Sequence, residues 1–151
     1  MNAIDMKLKE LGIVLPKPMA PVANYVPWVK TGRLVFIAGQ LPMQDGKLQY
    51  QGPVKSDGEG AKAAQLCGIN LIAQLREACD GDLSKVTRIV KLVGFVDAAG
   101  GLASIPAVVN GASDLMVEVF GEAGKHARSS VGVAALPLGA AVEVEAIAEI
   151  A

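Results

Sequence analysis

The sequence predicts a single α+β domain, and three observations carry that prediction. Two long segments repeat apolar residues at helical spacing. Several shorter ones alternate apolar with polar residues or are dense in β-branched side chains, and no linker or low-complexity stretch divides the 151 residues. Along the chain, Ile4, Leu8 and Leu11 recur at i, i+4 and i+7 between charged residues, which predicts a short amphipathic helix ended near Gly12. Pro16, Pro18 and Pro21 then impose an extended linker, so residues 1–20 are a helix and a linker leading into the main body. Strands over residues 25–30 and 33–38 flank Thr31-Gly32, Asp45-Gly46 marks a second hairpin before residues 47–50, and this half reads as a β-meander.

The first long helix runs over residues 57–79. Small and apolar residues at 61, 64, 68, 71, 75 and 79 form one face, Ser56 or Asp57 is the cap, and Asp80-Gly81 closes it. Residues 86–96, rich in β-branched side chains and alternating around Arg88 and Lys91, form a long strand. A second helix follows, capped by Ser104 with Pro106 in its first turn. Ile105, Val109, Ala112, Met116 and Val119 trace its buried stripe, and Gly121 and Gly124 stop it. Strands over residues 128–135 and 142–150 finish the chain, giving one sheet with the two main helices on one face. In the last strand Val142, Val144, Ala146, Ala148 and Ile150 alternate with Glu143, Glu145, Ile147 and Glu149, so one face is core and the other carries three carboxylates. A hairpin closing symmetrically around residues 136–139 would put Arg128 on the carboxylate face, together with Gly132, Ala134 and Ile147. So few charges on such a face suggest that it is covered by another subunit.

Composition narrows the function classes. The chain is 52% hydrophobic and 19% charged, against roughly 25% charged in an average domain, so it has much to bury. A 4% aromatic share with 17 glycines means a core of small aliphatic side chains and close backbone approaches. There is no 18-residue apolar run, and the first residues mix charges of both signs, which points to a soluble, cytoplasmic protein without a membrane segment. A net charge of −1, no basic stripe and scattered aromatic residues argue against a nucleic-acid partner. Cys67 and Cys79 sit on one predicted helix, 12 positions of about 1.5 Å apart and beyond disulfide reach, and read as free buried thiols. His126 is the single histidine, and no Cys/His/Asp cluster has metal-ligand spacing, so no metal is expected.

The segment His126-Ala127-Arg128-Ser129-Ser130-Val131, followed by Leu136-Pro137 and then Val142-Glu143-Val144-Glu145-Ala146-Ile147-Ala148, resembles the C-terminal signature of the RidA/YjgF family, also known as endoribonuclease L-PSP. Phe36-Ile37-Ala38-Gly39-Gln40-Leu41-Pro42 resembles the family's glycine-glutamine-x-proline strand end, with Tyr25 at the family spacing upstream. The resemblance implies a chorismate-mutase-like fold, a homotrimer with ligand sites in the clefts between subunits, and cofactor-free hydrolysis of reactive enamines and imines such as 2-aminoacrylate to 2-keto acids and ammonia.

By that resemblance Arg128 binds the substrate carboxylate, a role that suits a guanidinium, which is always charged and offers two parallel donors. Glu143 matches the acidic position that could hold or deprotonate the attacking water. Tyr25 and Asn110 match ligand-contacting positions, although the spacing from Asn110 to Arg128 is one residue longer than in the family. Backbone groups near Gly39 and Ser130 would orient the imine. Three positions depart from the pattern. Ala38 replaces a serine, Ser130 replaces a cysteine, and His126 replaces a proline and reads as a partly exposed loop histidine. These departures mark a divergent subgroup and leave open three functions: an imine deaminase acting on a small carboxylate-bearing imino acid, a non-catalytic trimeric binder of small keto or amino acids acting as a regulator, or a ribonuclease-type translation inhibitor.

Overall fold

The two apolar helical stripes become the two long helices of the computed structural model, which describes residues 1–18, 23–101 and 103–151. Asn2 caps α1 (Ala3–Glu10), its side-chain oxygen accepting from the Asp5 amide at 2.8 Å. Pro16 and Pro18 follow without regular structure, and Pro21 lies outside the described residues. In α2 (Asp57–Ala78) Ser56 is the cap, and its hydroxyl accepts from the Glu59 amide at 3.1 Å. The expected stripe is buried from Ala64 to Cys79, with Ala61 half-buried, but burial spreads further, taking in Gly60, Ala63, Cys67 and Ile72 to Gln74. In α3 (Ile105–Phe120) Ser104 holds the cap position without a capping bond. Its amide instead donates to Asp57 Oδ1 at 2.6 Å, joining the two helix starts.

These helices approach one another at glycine. A side chain at Gly111 would strike the backbone carbonyl of Ala61, one at Gly60 would strike Val108, and one at Gly68 would strike Leu115. Helix backbones can meet this closely only where no Cβ stands between them. Both helices cover the same face of a five-stranded sheet of order β1-β2-β7-β5-β6. Its strands are β1 (Trp28–Thr31), β2 (Leu34–Gln40), β5 (Val86–Asp97), β6 (Ala127–Val133) and β7 (Val142–Ile150). Gly94 lets α3 sit flush on β5, since a Cβ there would meet Val109. Both cysteines are free and buried, as expected. Among the described residues no helix is long and apolar enough to cross a membrane.

Three expectations are corrected. Strand β1 begins at Trp28 instead of residue 25, because Pro27 has no N–H for the ladder and restricts Val26. The second hairpin, β3 (Met43–Gln44) with β4 (Lys47–Leu48), is a separate two-stranded ribbon and does not continue a meander. Both edges of β2 are already taken by β1 and β7, and Asn70 of α2 ties the ribbon down by donating to the carbonyls of Leu41 at 2.9 Å and Met43 at 3.1 Å. Asp45 and Gly46 turn it with φ of 53° and 76°, as a two-residue primed turn requires.

The third correction matters most for function. Strands β6 and β7 do not form a hairpin: β6 pairs in parallel with β5, β7 pairs antiparallel with β5 and β2, and β5 lies between them. The β6 strand ends at Val133, opposite the last residue of β5, and the chain then crosses the end of β5 through a short 3-10 turn (Pro137–Gly139). Because Leu92 is opposite both Arg128 and Ala146, Arg128 points to the helix side with Ser130 and Gly132. The carboxylate face is as expected in β7 itself: even-numbered residues 142 to 150 are buried, and Glu143, Glu145, Ile147 and Glu149 are half-buried on the far side. That far side has no helix over it, and leaves Val29 (51%), Phe36 (41%) and Val131 (43%) exposed.

The glycine crossing predicts an asymmetry in alanine substitution. Gly111→Ala must push a helix backbone away and should cost about 2 kcal/mol. Gly58→Ala, at a helical position with open space around its Cβ, should gain about 0.5 kcal/mol. Urea denaturation of both variants checks the contrast, and equal stabilities would contradict the close crossing.

Candidate functional site

Arg128 opens β6 on the helix side, and its guanidinium meets the exposed turn of α3. Its Nη1 donates to Asn110 Oδ1 at 2.7 Å and to Ser113 Oγ at 3.2 Å, while Nη2 reaches the Pro106 carbonyl at 3.5 Å. Asn110 and Ser113 are three residues apart, so they share one face of the helix and can grip the same group. All three acceptors are neutral, and among the described residues Arg128 has no carboxylate partner. A guanidinium has five N–H donors, so this arrangement leaves two unused, the Nε–H among them. Ser130 lies two residues further along the same strand face, its hydroxyl oxygen buried and without a partner.

Behind Ser113 stands His126. Its Nε2 is 2.8 Å from Ser113 Oγ, and its Nδ1 is 2.6 Å from the Gly124 carbonyl. It is a half-buried loop residue, in keeping with its sequence reading, but bonded at both ring nitrogens.

The remaining expected residues gather elsewhere. Tyr25, Ala38, Gly39 and Glu143 line a cavity of about 780 Å³ whose other walls include Ile13 and Leu15 after α1, Met43 of the ribbon, and Leu66 and Ile69 of α2. A register shift between Ile37 and Gln40 bends β2 at Ala38 and Gly39, and Gln40 donates back to the Ala38 carbonyl at 3.0 Å. Gly39 lies directly against Glu143: a Cβ there would come within 2.8 Å of the carboxyl carbon and Oε2. Burial raises the Glu143 carboxyl above its ordinary value, and Glu145 beside it adds to the shift. The structure thus brings four of the seven candidates into one cavity and places Arg128, Asn110 and Ser130 outside it. Sequence reasoning missed Ser113, whose only signal was its i+3 spacing from Asn110. It also missed the part played by residues 12–18 in walling the cavity. Among the described residues no group of three or more His, Cys, Asp or Glu could hold a metal ion.

The raised carboxyl has a consequence for stability. The folded chain holds the Glu143 proton more tightly than the unfolded one, so this group favours folding most below the ordinary carboxylate value. That contribution is lost as pH rises through the raised value. Glu143→Gln should therefore be the more stable protein at neutral pH, with a smaller fall in Tm from about pH 4 to pH 7. Parallel thermal melts of the two proteins across that range would reveal it, and superimposable profiles would contradict it.

Residues 5–150 match the family described as "YjgF/chorismate_mutase-like, putative endoribonuclease". Protein TCP17 of Trypanosoma cruzi is 46% identical, over 97% of this chain and 94% of that protein. The crystal structure of Atu1372, a protein with unknown function from Agrobacterium tumefaciens, superposes with a TM-score of 0.92 at 45% identity, covering 99% of this chain and 93% of that one. The 2-iminobutanoate/2-iminopropanoate deaminase of Dermatophagoides farinae is more distant, 27% identical over 89% of this chain and 93% of the deaminase. With its fold and its matched span in agreement, the chain belongs to the YjgF/RidA family, on a branch with TCP17 and Atu1372 that diverges from that deaminase.

Proposed function

We propose that the protein is an imine deaminase that hydrolyses 2-imino acids to 2-keto acids and ammonia. The observation that carries this reading is the Arg128 guanidinium, held by three neutral acceptors with no anion of its own and with donors to spare. A fixed cation without a counter-charge is a site awaiting one, and a planar carboxylate fits its paired donors. The distant deaminase relative, whose named substrates are 2-imino carboxylates, supports the same chemistry.

In this reading the working site is shared between copies of the chain. Arg128, Asn110 and Ser130 of one subunit face the Glu143 cavity of the next, and the exposed apolar side of the sheet is the surface a trimer covers. Arg128 fixes the carboxylate, and the imine carbon points toward the cavity. Glu143 accepts a proton from water as the oxygen adds to that carbon. It returns that proton to nitrogen to give the carbinolamine, then takes the carbinolamine hydroxyl proton and passes it to nitrogen as the carbonyl forms, the C–N bond breaks, and ammonia leaves the keto acid. A carboxyl raised toward neutrality suits these transfers. The apolar cavity walls, with Ala38 in place of a hydroxyl, favour a larger apolar side chain than that of 2-aminoacrylate.

A non-catalytic metabolite binder is the second reading. Ala38 favours it, because only its backbone can reach a ligand.

The test generates 2-imino acids of graded side chains with an amino-acid oxidase and follows keto-acid release. We expect acceleration by the wild-type protein, a loss of at least about a hundredfold in kcat/KM for Arg128→Ala, and a loss of about tenfold or more for Arg128→Lys, which keeps the charge but not the fork. Unchanged kinetics in these variants would remove Arg128 from the site. Ligand binding without turnover would select the binder. Sedimentation should give about three chains per particle, whereas a stable monomer would contradict the shared cleft.

A further inference from the structure

We propose that Ser113 and His126 are positioning residues that orient the Arg128 guanidinium, His126 acting only through Ser113. The proposal rests on the reading of Arg128 as the carboxylate anchor for its consequences in catalysis, but its geometry stands apart from that reading.

The direction of each bond follows from which group has a proton to give. The Gly124 carbonyl can only accept, so the histidine nitrogen facing it at 2.6 Å, Nδ1, carries the hydrogen. In the neutral ring Nε2 is then an acceptor, and the Ser113 hydroxyl, 2.8 Å away, donates to it. A serine has one proton. With that proton committed to His126, the oxygen lone pairs turn toward Arg128 Nη1 at 3.2 Å. Without His126, a serine within a helix can turn its proton back onto a carbonyl of the preceding turn, and its oxygen no longer has a set direction.

The far end of this relay is itself immobile. A side chain at Gly124 would overlap the Met116 carbonyl, so the turn carrying the acceptor is seated directly on the α3 backbone. The relay therefore runs from one point of α3, through the histidine, back to Ser113 on the same helix, and then to the strand residue that meets substrate. Asn110 holds the same Nη1 from the other side at 2.7 Å, so that nitrogen is fixed at two points and the unused donors can face only one way. A proline at position 126, where the resemblance places one, has its ring nitrogen tied up in the peptide bond with neither a proton nor a lone pair to offer, so this device belongs to chains carrying the histidine.

The test measures hydrolysis and, independently of any substrate, the arginine side-chain NMR signals of the full-length protein. We expect Ser113→Ala to raise KM about tenfold with kcat within about twofold, Ser113→Thr to restore wild-type KM, and His126→Ala to raise KM by a smaller factor. In the Ser113→Ala background, His126→Ala should add nothing, since its effect travels through the hydroxyl. The Arg128 Nη signals should be separate in the wild type and averaged in Ser113→Ala. If the wild type hydrolyses no imino acid yet shows that spectral difference, the positioning role stands and the carboxylate-anchor reading falls. Additive effects in the double variant, a Ser113→Ala protein with unchanged KM, or Nη signals already averaged in the wild type would each overturn the proposal.

Discussion

Everything that acts in this molecule depends on how closely α3 lies against its neighbours. It touches the backbone of α2 at Gly111 and sits flush on β5 over Gly94, and in both places a side chain would hold it away. A helix seated this deeply puts Asn110 and Ser113 within hydrogen-bond reach of a strand residue at the sheet edge. Displacing it by about the width of a methyl group would break bonds of 2.7 to 3.2 Å. The sparing use of aromatic residues in the sequence is the compositional side of the same constraint: thin side chains allow close layers.

The second organising feature is the crossing of β5 by the connection between β6 and β7. It places Arg128 and Glu143 on opposite sides of one sheet. The cation sits at an edge strand against a helix, and the carboxyl sits beside the β2 bend in an apolar cavity. Each group is held by its own neighbours within one subunit. Asn110, Ser113 and Pro106 hold the guanidinium, and Gly39 leaves room for the carboxyl.

Much of the fold was legible because the signals are local. The Ser56 cap, the stripe through Leu71 and Leu75, the Asp45-Gly46 turn and the strict alternation of β7 each reside in a few adjacent residues. The strand pairing was not. The stretch between β6 and β7 has a length suited to a hairpin, and what prevents one is β5, a strand some thirty residues earlier that occupies the position between them. The side of the sheet assigned to Arg128 was wrong for the same reason. Among the candidate site residues, Arg128 and Asn110 stand out through a family resemblance, whereas Ser113 is an ordinary helix serine until its neighbour across the fold is known. His126 looked like a loop residue and is one; its bonds are tertiary and leave no trace in spacing.

The order of the sheet also bears on how the chain comes into being. β7 lies between β2 and β5, yet it is translated after every other strand. Until residues 142–150 leave the ribosome, β2 and β5 have no strand between them and the apolar faces of α2 and α3 have only half a platform to cover. Folding of the whole sheet is therefore a late, long-range event that waits for one short segment, and the nascent chain must keep a largely aliphatic interior out of trouble until that segment arrives.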